Sequence, residues 1–222
     1  MENIKIILAE DHALMRAGTL HILGKYPDFQ VIGEAEDGQQ AVDLIKKLRP
    51  DIAILDICMP KLNGIEVVRQ VKSLSPNTKT LMVTAYDDDE YILALMEAGA
   101  SGYLLKTAHE KDLVDSVRGV YSGDPVLDPA IAMKIARIWA QRGTPVHPQS
   151  GEQLSSRELE VLELAAKGLR NKAIAEKMGI SIRTVEGHFN GIFSKLGVSS
   201  RLAAILEAMS RHLVSLSTEN LG

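Results

Sequence analysis

Three carboxylates stand at the ends of two short apolar runs: Asp56 closes Ile52-Ala53-Ile54-Leu55, and Glu10-Asp11 closes Ile4-Lys5-Ile6-Ile7-Leu8-Ala9. Runs this short and this apolar suit strands buried on both faces of a parallel sheet. If both strands run the same way, their ends share the edge where open α/β sheets bind ligands. Carboxylates crowded there repel one another, and a divalent cation resolves the repulsion. Oxygen donors completed by waters suit Mg²⁺ or Mn²⁺. A carboxylate can also attack phosphorus and carry the phosphoryl group as an aspartyl phosphate. Thr84, at the end of a third apolar run, and Lys106, just past a fourth, would then hold the other phosphoryl oxygens by hydrogen bond and charge.

The elements that must position these groups follow from patterning. Strands are predicted at Ile4–Ala9, Gln30–Ala35, Ile52–Asp56, Thr80–Thr84 and Gly102–Leu105. Helical patterns fall between and after them, at about 13–25, 38–48, 64–73, 90–98 and 108–122. Tyr26-Pro27-Asp28, Arg49-Pro50-Asp51 and Ser75-Pro76-Asn77 punctuate the alternation. Repeated strand–helix units imply a doubly wound α/β domain with a five-stranded parallel sheet covered on both faces.

Beyond residue 123 the pattern changes. A helix is expected at 128–142, with Ile131, Ile135, Ile138 and Trp139 at helical spacing, Pro129 in its first turn and Gly143 after its end. Residues 143–153 read as a flexible linker. From Leu154 to about Leu216 all segments are helical in pattern, and Ser155 with Glu158 forms a capping box at the start. A short helix at Asn171–Met178, the turn Gly179-Ile180-Ser181 and a helix at Ile182–Leu196 fit a helix-turn-helix. The expected fold is therefore an α/β domain followed by a small all-α domain.

Composition narrows the function classes. Of 222 residues, 45% are apolar and none of the runs reaches the roughly 18 apolar residues of a membrane span. The N-terminus enters a strand directly and lacks a signal-peptide shape. The single cysteine, Cys58, excludes an internal disulfide and fits a reducing, cytoplasmic setting with no membrane partner. Residues 1–127 carry 13 Lys/Arg against 20 Asp/Glu, whereas residues 128–222 carry 12 against 9. Nucleic-acid contact, if any, belongs to the second part.

Glu10-Asp11, Asp56-Ile57-Cys58-Met59-Pro60, Gly64, Thr84-Ala85 and Gly102-Tyr103-Leu104-Leu105-Lys106, in that order, resemble the receiver domain of two-component response regulators. The resemblance covers roughly residues 1–123. It implies that Asp56 is the phosphoacceptor, Asp11 a direct metal ligand and Glu10 a ligand through water, with the Cys58 carbonyl as a further ligand. Thr84 and Tyr103 would be the switch pair, the ring turning inward when the hydroxyl meets the phosphoryl group. Thr107 follows Lys106 where many receivers have a proline after a cis bond. Tyr86, two residues past Thr84, is bulky enough to shield a phosphoryl group from water.

The tail is similar to the DNA-binding domain of the NarL/FixJ, or LuxR-type, regulators. Leu154-Ser155, Arg157-Glu158, Asn171 to Ala175, Thr184-Val185, His188, Lys195 to Val198 and Arg201 carry that likeness. It implies that the helix at 182–196 enters the major groove with Arg183, Thr184, Glu186, Gly187 and Asn190 outward. Val185, Phe189 and Ile192 would face the core. Asn190 can pair with adenine and Glu186 can accept from cytosine. Asn171, Lys172, His188, Lys195 and Arg201 would meet phosphates. The last helix, with Leu202, Leu206 and Leu213, would serve dimerisation, while Ile205 and Met209 pack inward.

The reading is a dimeric transcription factor rather than an enzyme, phosphorylated at Asp56 by a histidine kinase and binding double-stranded DNA as a homodimer. Its parts are a receiver at 1–123, a linker at 124–153, a DNA-binding domain at 154–216 and a tail at 217–222. A regulator of the same build that works without phosphorylation is the alternative. An aspartyl-phosphate phosphatase typically needs a second carboxylate two residues after the nucleophile, where this chain has Cys58.

Overall fold

The computed structural model describes residues 3–86, 88–124, 126–128, 131–135, 137, 153–167, 169–198, 200–211 and 213–214. The N-terminal part alternates β1 (Ile4–Ala9), α1 (Ala13–Gly24), β2 (Phe29–Ala35), α2 (Gly38–Leu48), β3 (Ile52–Leu55), α3 (Gly64–Leu74), β4 (Lys79–Thr84), α4 (Asp89–Ala98), β5 (Gly102–Leu105) and α5 (Glu110–Ser122). A two-residue strand, β6 (Val126–Leu127), follows. All pairings are parallel, in the order β2-β1-β3-β4-β5-β6.

Two apolar layers sandwich the sheet. Helices α2, α3 and α4 cover one face with Val42, Ile45, Val67, Val71, Ile92 and Leu95. On the other, α1 and α5 contribute Leu23, Leu113, Val117 and Val120. Every residue of β3 is buried, as a strand covered on both faces requires.

The sixth strand extends the expected five and lies within the segment read as linker. Gly123 ends α5 in the left-handed conformation, and the chain turns to lay Val126 beside Gly102 and Leu127 beside Tyr103. Residues 131–135 and 137 are helical, and Ile131 and Ile135 are buried in the core that holds Ile92, Leu95 and Tyr103. The described part of the expected helix therefore packs against the first domain; Pro129, Ile138 and Trp139 lie outside the described residues, as does the tail at 217–222.

The C-terminal part consists of α6 (Ser156–Ala166), α7 (Asn171–Met178), α8 (Ile182–Leu196) and α9 (Arg201–Ser210). The capping box at the head of α6 forms in both directions: the Glu158 N–H donates to the Ser155 hydroxyl, and the Ser155 N–H donates to the Glu158 carboxylate at 2.7 Å. Between α7 and α8, Gly179 has φ +67°, a conformation that favours glycine. Ser181 then caps α8 by accepting from the Thr184 N–H. Val185, Phe189, Ile192 and Ile205 join the small core with Val161, Leu162 and Ile174. No helix among the described residues is long and apolar enough to cross a membrane.

Candidate functional site

The C-terminal ends of β1, β3, β4 and β5 place Glu10, Asp56, Thr84 and Lys106 along one edge. Asp56 is the first residue beyond β3 rather than its last, and it is only 3% exposed. Its Oδ1 accepts from the Ile57 N–H at 2.7 Å, and its Oδ2 accepts from the Lys106 ammonium at 2.9 Å. The same ammonium reaches Glu10 Oε2 at 2.8 Å, so one cation bridges two buried carboxylates. Burial pulls the Lys106 ammonium down, but its bonds and charge contacts with Glu10 and Asp56 outweigh burial and leave it raised. The Lys106–Thr107 peptide is trans, like every other peptide described.

Potential ligand atoms of Glu10, Asp11, His12 and Asp56 all lie within 4.8 Å of one another. That oxygen-rich donor set fits a hard divalent cation. His12 caps the start of α1 without a side-chain cap bond, and its Nδ1 sits 2.8 Å from Asp11 Oδ1. Gly64 fixes the approach of α3: a Cβ built there would lie 2.2 Å from the Asp56 carbonyl oxygen.

Thr84 is fully buried, and its hydroxyl accepts from the Tyr86 N–H at 3.2 Å. Tyr103 is 3% exposed, with its ring inward and its hydroxyl donating to the Tyr86 carbonyl at 2.6 Å. Tyr86 itself is half-exposed at the rim. A hydrogen bond with Cys58 is the chief cause of the upward shift of its phenol. Sequence reasoning missed Arg16, whose guanidinium donates to the Glu10 carbonyl at 2.8 Å and to Glu36 at 2.8 Å. Arg16 stands on α1, and its backbone-carbonyl partner leaves no signal in the sequence.

In the helical domain, Lys172, Arg183, Thr184, Glu186, Gly187 and Asn190 are exposed. The Thr184 hydroxyl is engaged with the Ser181 cap at 2.7 Å. His188 and Lys195 are half-buried, and Lys195 donates to Glu158 at 2.8 Å. Asn171 and Arg201 are buried and bonded to each other at 2.7 Å, rather than facing solvent. Of the residues expected at the dimer helix, Leu213 is exposed; the side chains of Leu202 and Leu206 lie outside the described residues.

A parallel sheet with an acidic pocket, joined to a helix-turn-helix, defines a two-domain regulator. Family comparison gives the same result. The family described as "Response regulator receiver domain" matches residues 6–118, and "Bacterial regulatory proteins, luxR family" matches residues 152–208. The chain is 38% identical to the transcriptional regulatory protein LiaR of Bacillus subtilis, over 96% of this chain and 100% of that one. It is 36% identical to the oxygen regulatory protein NreC of Staphylococcus carnosus, over 95% and 99%. Among solved structures, the response regulator ChrA of a heme-sensing two-component system shares 37% identity with a TM-score of 0.54, over 96% and 100%. RcsB of Salmonella typhimurium shares 25% with a TM-score of 0.59, over 92% and 97%.

The chain belongs to the two-component response regulators that join a receiver to a LuxR-type DNA-binding domain. Its relatives are transcriptional regulators, and a receiver domain implies a kinase partner.

Proposed function

We propose that this chain is a transcription factor whose DNA binding is switched by phosphorylation of Asp56. The observation that carries the reading is the Lys106 ammonium bridging the buried carboxylates of Asp56 and Glu10. An Asp56 oxygen attacks the phosphorus of a phosphohistidine; the P–O bond forms as the P–N bond breaks, and the nitrogen keeps the electron pair. Lys106 supplies positive charge to the phosphoryl oxygens, and Thr84 is the hydroxyl donor on the adjacent strand end. Glu10, Asp11, Asp56 and the Cys58 carbonyl would hold Mg²⁺ or Mn²⁺, which neutralises phosphoryl charge when bound.

The switch pair is Thr84 with Tyr103. If the Thr84 hydroxyl turns to the phosphoryl group, the Tyr86 N–H loses its acceptor and the segment held by Tyr103 is free to move. Arg183, Glu186, Gly187 and Asn190 would face bases, Lys172 and His188 phosphates, and Leu202, Leu206 and Leu213 a second copy of the chain. The boundaries 1–123, 124–153 and 154–216 belong to this proposal, as does a cytoplasmic setting.

Treatment with a small phosphodonor and Mg²⁺ is expected to give a hydroxylamine-labile acyl phosphate, absent in Asp56→Asn, and tighter operator binding. Equal operator binding by phosphorylated wild type and Asp56→Asn would overturn the switch. A phosphorylation-independent regulator is the second reading. It is favoured by the inward Tyr103 ring, which needs no phosphoryl group to hold it.

A further inference from the structure

Two loops carry the expected cation ligands, residues 10–12 after β1 and residues 56–63 after β3. The sheet joins their inner ends, since the Asp56 N–H donates to the Ala9 carbonyl at 3.0 Å. Cys58, whose carbonyl is the further expected ligand, lies past that bond in a segment with no strand to hold it. The turn Glu36-Asp37, between β2 and α2, supplies no expected ligand, yet it is tied to both loops. On the first, Arg16 is the link: its guanidinium donates to the Glu10 carbonyl and to the Glu36 carboxylate, each at 2.8 Å. The Glu10 N–H adds a bond to the Ala35 carbonyl at 3.1 Å, where β2 ends.

The second loop is gripped more closely. The Lys61 ammonium donates to Asp37 Oδ2 at 2.6 Å, and the Gly38 N–H donates to the Pro60 carbonyl at 3.2 Å. A Cβ on Gly38 would lie 1.9 Å from the Leu62 carbonyl oxygen, so backbone meets backbone with no room for a side chain. Lys61 holds the left-handed conformation at φ +67°, which residues other than glycine seldom adopt. The Leu62 N–H turns back to the Pro60 carbonyl, and the Gly64 N–H closes the neck of the loop on the Ile57 carbonyl, both at 2.8 Å. A loop closed on itself moves as a unit, and its attachment to the turn sets where that unit sits.

Asp37 does more than cap α2. Its Oδ1 accepts from the Gln40 N–H at 2.9 Å, which completes the cap. Its Oδ2 accepts from the Gln40 side chain at 2.9 Å and from Lys61, outside the helix. The Asp37 side chain is buried while that of Lys61 is largely exposed, so the lysine reaches in from solvent. The bond with Lys61 is the chief cause that holds the Asp37 carboxyl below the usual aspartate range. Mg²⁺ demands oxygens in a near-ideal octahedron at about 2.0–2.1 Å, so a ligand that drifts weakens the site. Groups behind the ligands fix such positions.

We propose that Asp37 and Lys61 are positioning residues for the divalent cation. With Arg16 and Glu36 they brace the two ligand-bearing loops at a fixed separation and hold the segment that presents the Cys58 carbonyl. This rests on the divalent-cation reading above. The bracing residues act through the loops, not as ligands.

Cation binding by the full chain, followed by calorimetry with Mg²⁺ and by the paramagnetic resonance of Mn²⁺, separates bracing from charge. Lys61→Met removes a positive charge near the site, which by Coulomb attraction alone would tighten binding. Loss of the brace instead weakens it, by roughly two- to fivefold on the scale of a partly exposed ion pair. Asp37→Asn keeps an oxygen for the α2 cap and should weaken binding at least as much. The double variant should be no weaker than Asp37→Asn alone. Phosphorylation of Lys61→Met by a small phosphodonor should be slow at limiting Mg²⁺ and reach the wild-type rate at saturating Mg²⁺. Lys25→Met, which breaks the ion pair with Glu110 in the other helical layer, loses the same charge and should not weaken binding. The proposal is overturned if Lys61→Met binds the cations as wild type does or more tightly, if the two single effects multiply in the double variant, if Lys25→Met weakens binding equally, or if the rate stays low at saturating Mg²⁺. In each of those cases binding by the wild type leaves the cation reading standing. If the wild type binds neither ion, both fail.

Discussion

The Tyr103 hydroxyl donates to the Tyr86 carbonyl at 2.6 Å, while the N–H of the same Tyr86 donates to the Thr84 hydroxyl at 3.2 Å. The two proposed switch residues are thus joined through one peptide segment on the far side of Thr84. Motion of either is felt by the other through the Tyr86 backbone. Tyr103→Phe removes one bond and leaves the Tyr86 carbonyl without it. A loss of about 0.5–1.5 kcal/mol is expected, read as a lower denaturation midpoint at unchanged slope. Phosphorylation should then enhance operator binding less than in wild type. Unchanged enhancement in Tyr103→Phe would remove the tyrosine from the relay.

Tyr86 stands at the rim, half-exposed, and Cys58 is the chief cause of the upward shift of its phenol. A ring in that position limits the approach of water to a phosphoryl group on Asp56. Tyr86→Ala is therefore expected to shorten the lifetime of the acyl phosphate several-fold, measured as phosphate release after the donor is removed. Decay at the wild-type rate would sink the shielding role.

Gly64 bears on the phosphoacceptor through space alone. A Cβ there would sit 2.2 Å from the Asp56 carbonyl oxygen and 2.8 Å from Met82, so α3 and the Asp56 loop must separate. Overpacking of this kind costs about 1–3 kcal/mol. Gly64→Ala should also slow phosphorylation at least tenfold, since Asp56 moves relative to Lys106. Gly18→Ala is the control. It lies in α1 with nothing within 4 Å of the added carbon, and it should stabilise by about 1 kcal/mol. If both variants are phosphorylated at the wild-type rate, the packing of Gly64 is not what places Asp56.

Much of this was legible in the sequence because the signals were local. Runs such as Ile52–Leu55 and the turns between elements gave the five long strands, and the strand ends brought Glu10, Asp56, Thr84 and Lys106 to one edge. β6 was not legible: Val126 and Leu127 are too short a run to show a period, and only the neighbouring Gly102 and Tyr103 make them a strand. The burial of Arg201 was equally hidden. An arginine at the start of an amphipathic helix reads as solvent-facing, and its contacts come from Asn171, Phe189 and Asp124, residues remote in sequence. Arg16 was missed for the same reason, since its partners include a backbone carbonyl that leaves no mark on the sequence.

Glu158 offers a measurable pH signature in the DNA-binding domain. Burial pushes its carboxyl up, but the Lys195 ammonium at 2.8 Å and the Ser155 cap bonds outweigh burial and hold it below the usual glutamate range. Gly191 makes room for this arrangement, since a Cβ there would meet Glu158 Oε1 at 2.6 Å. A carboxyl lowered by folding contributes stability that is complete above its unfolded value of about 4.3. That contribution is lost as pH falls through the lower folded value, when the carboxylate facing Lys195 takes up a proton. Glu158→Gln keeps an oxygen for the Ser155 N–H but lacks the charge that Lys195 needs. The variant should be less stable than wild type at neutral pH, and the gap should close on acidification below about pH 4. Thermal melts of the full chain, followed as the unfolding of the helical domain against pH, measure it. A gap that stays constant across that range would show that the Lys195 contact leaves the carboxyl unperturbed.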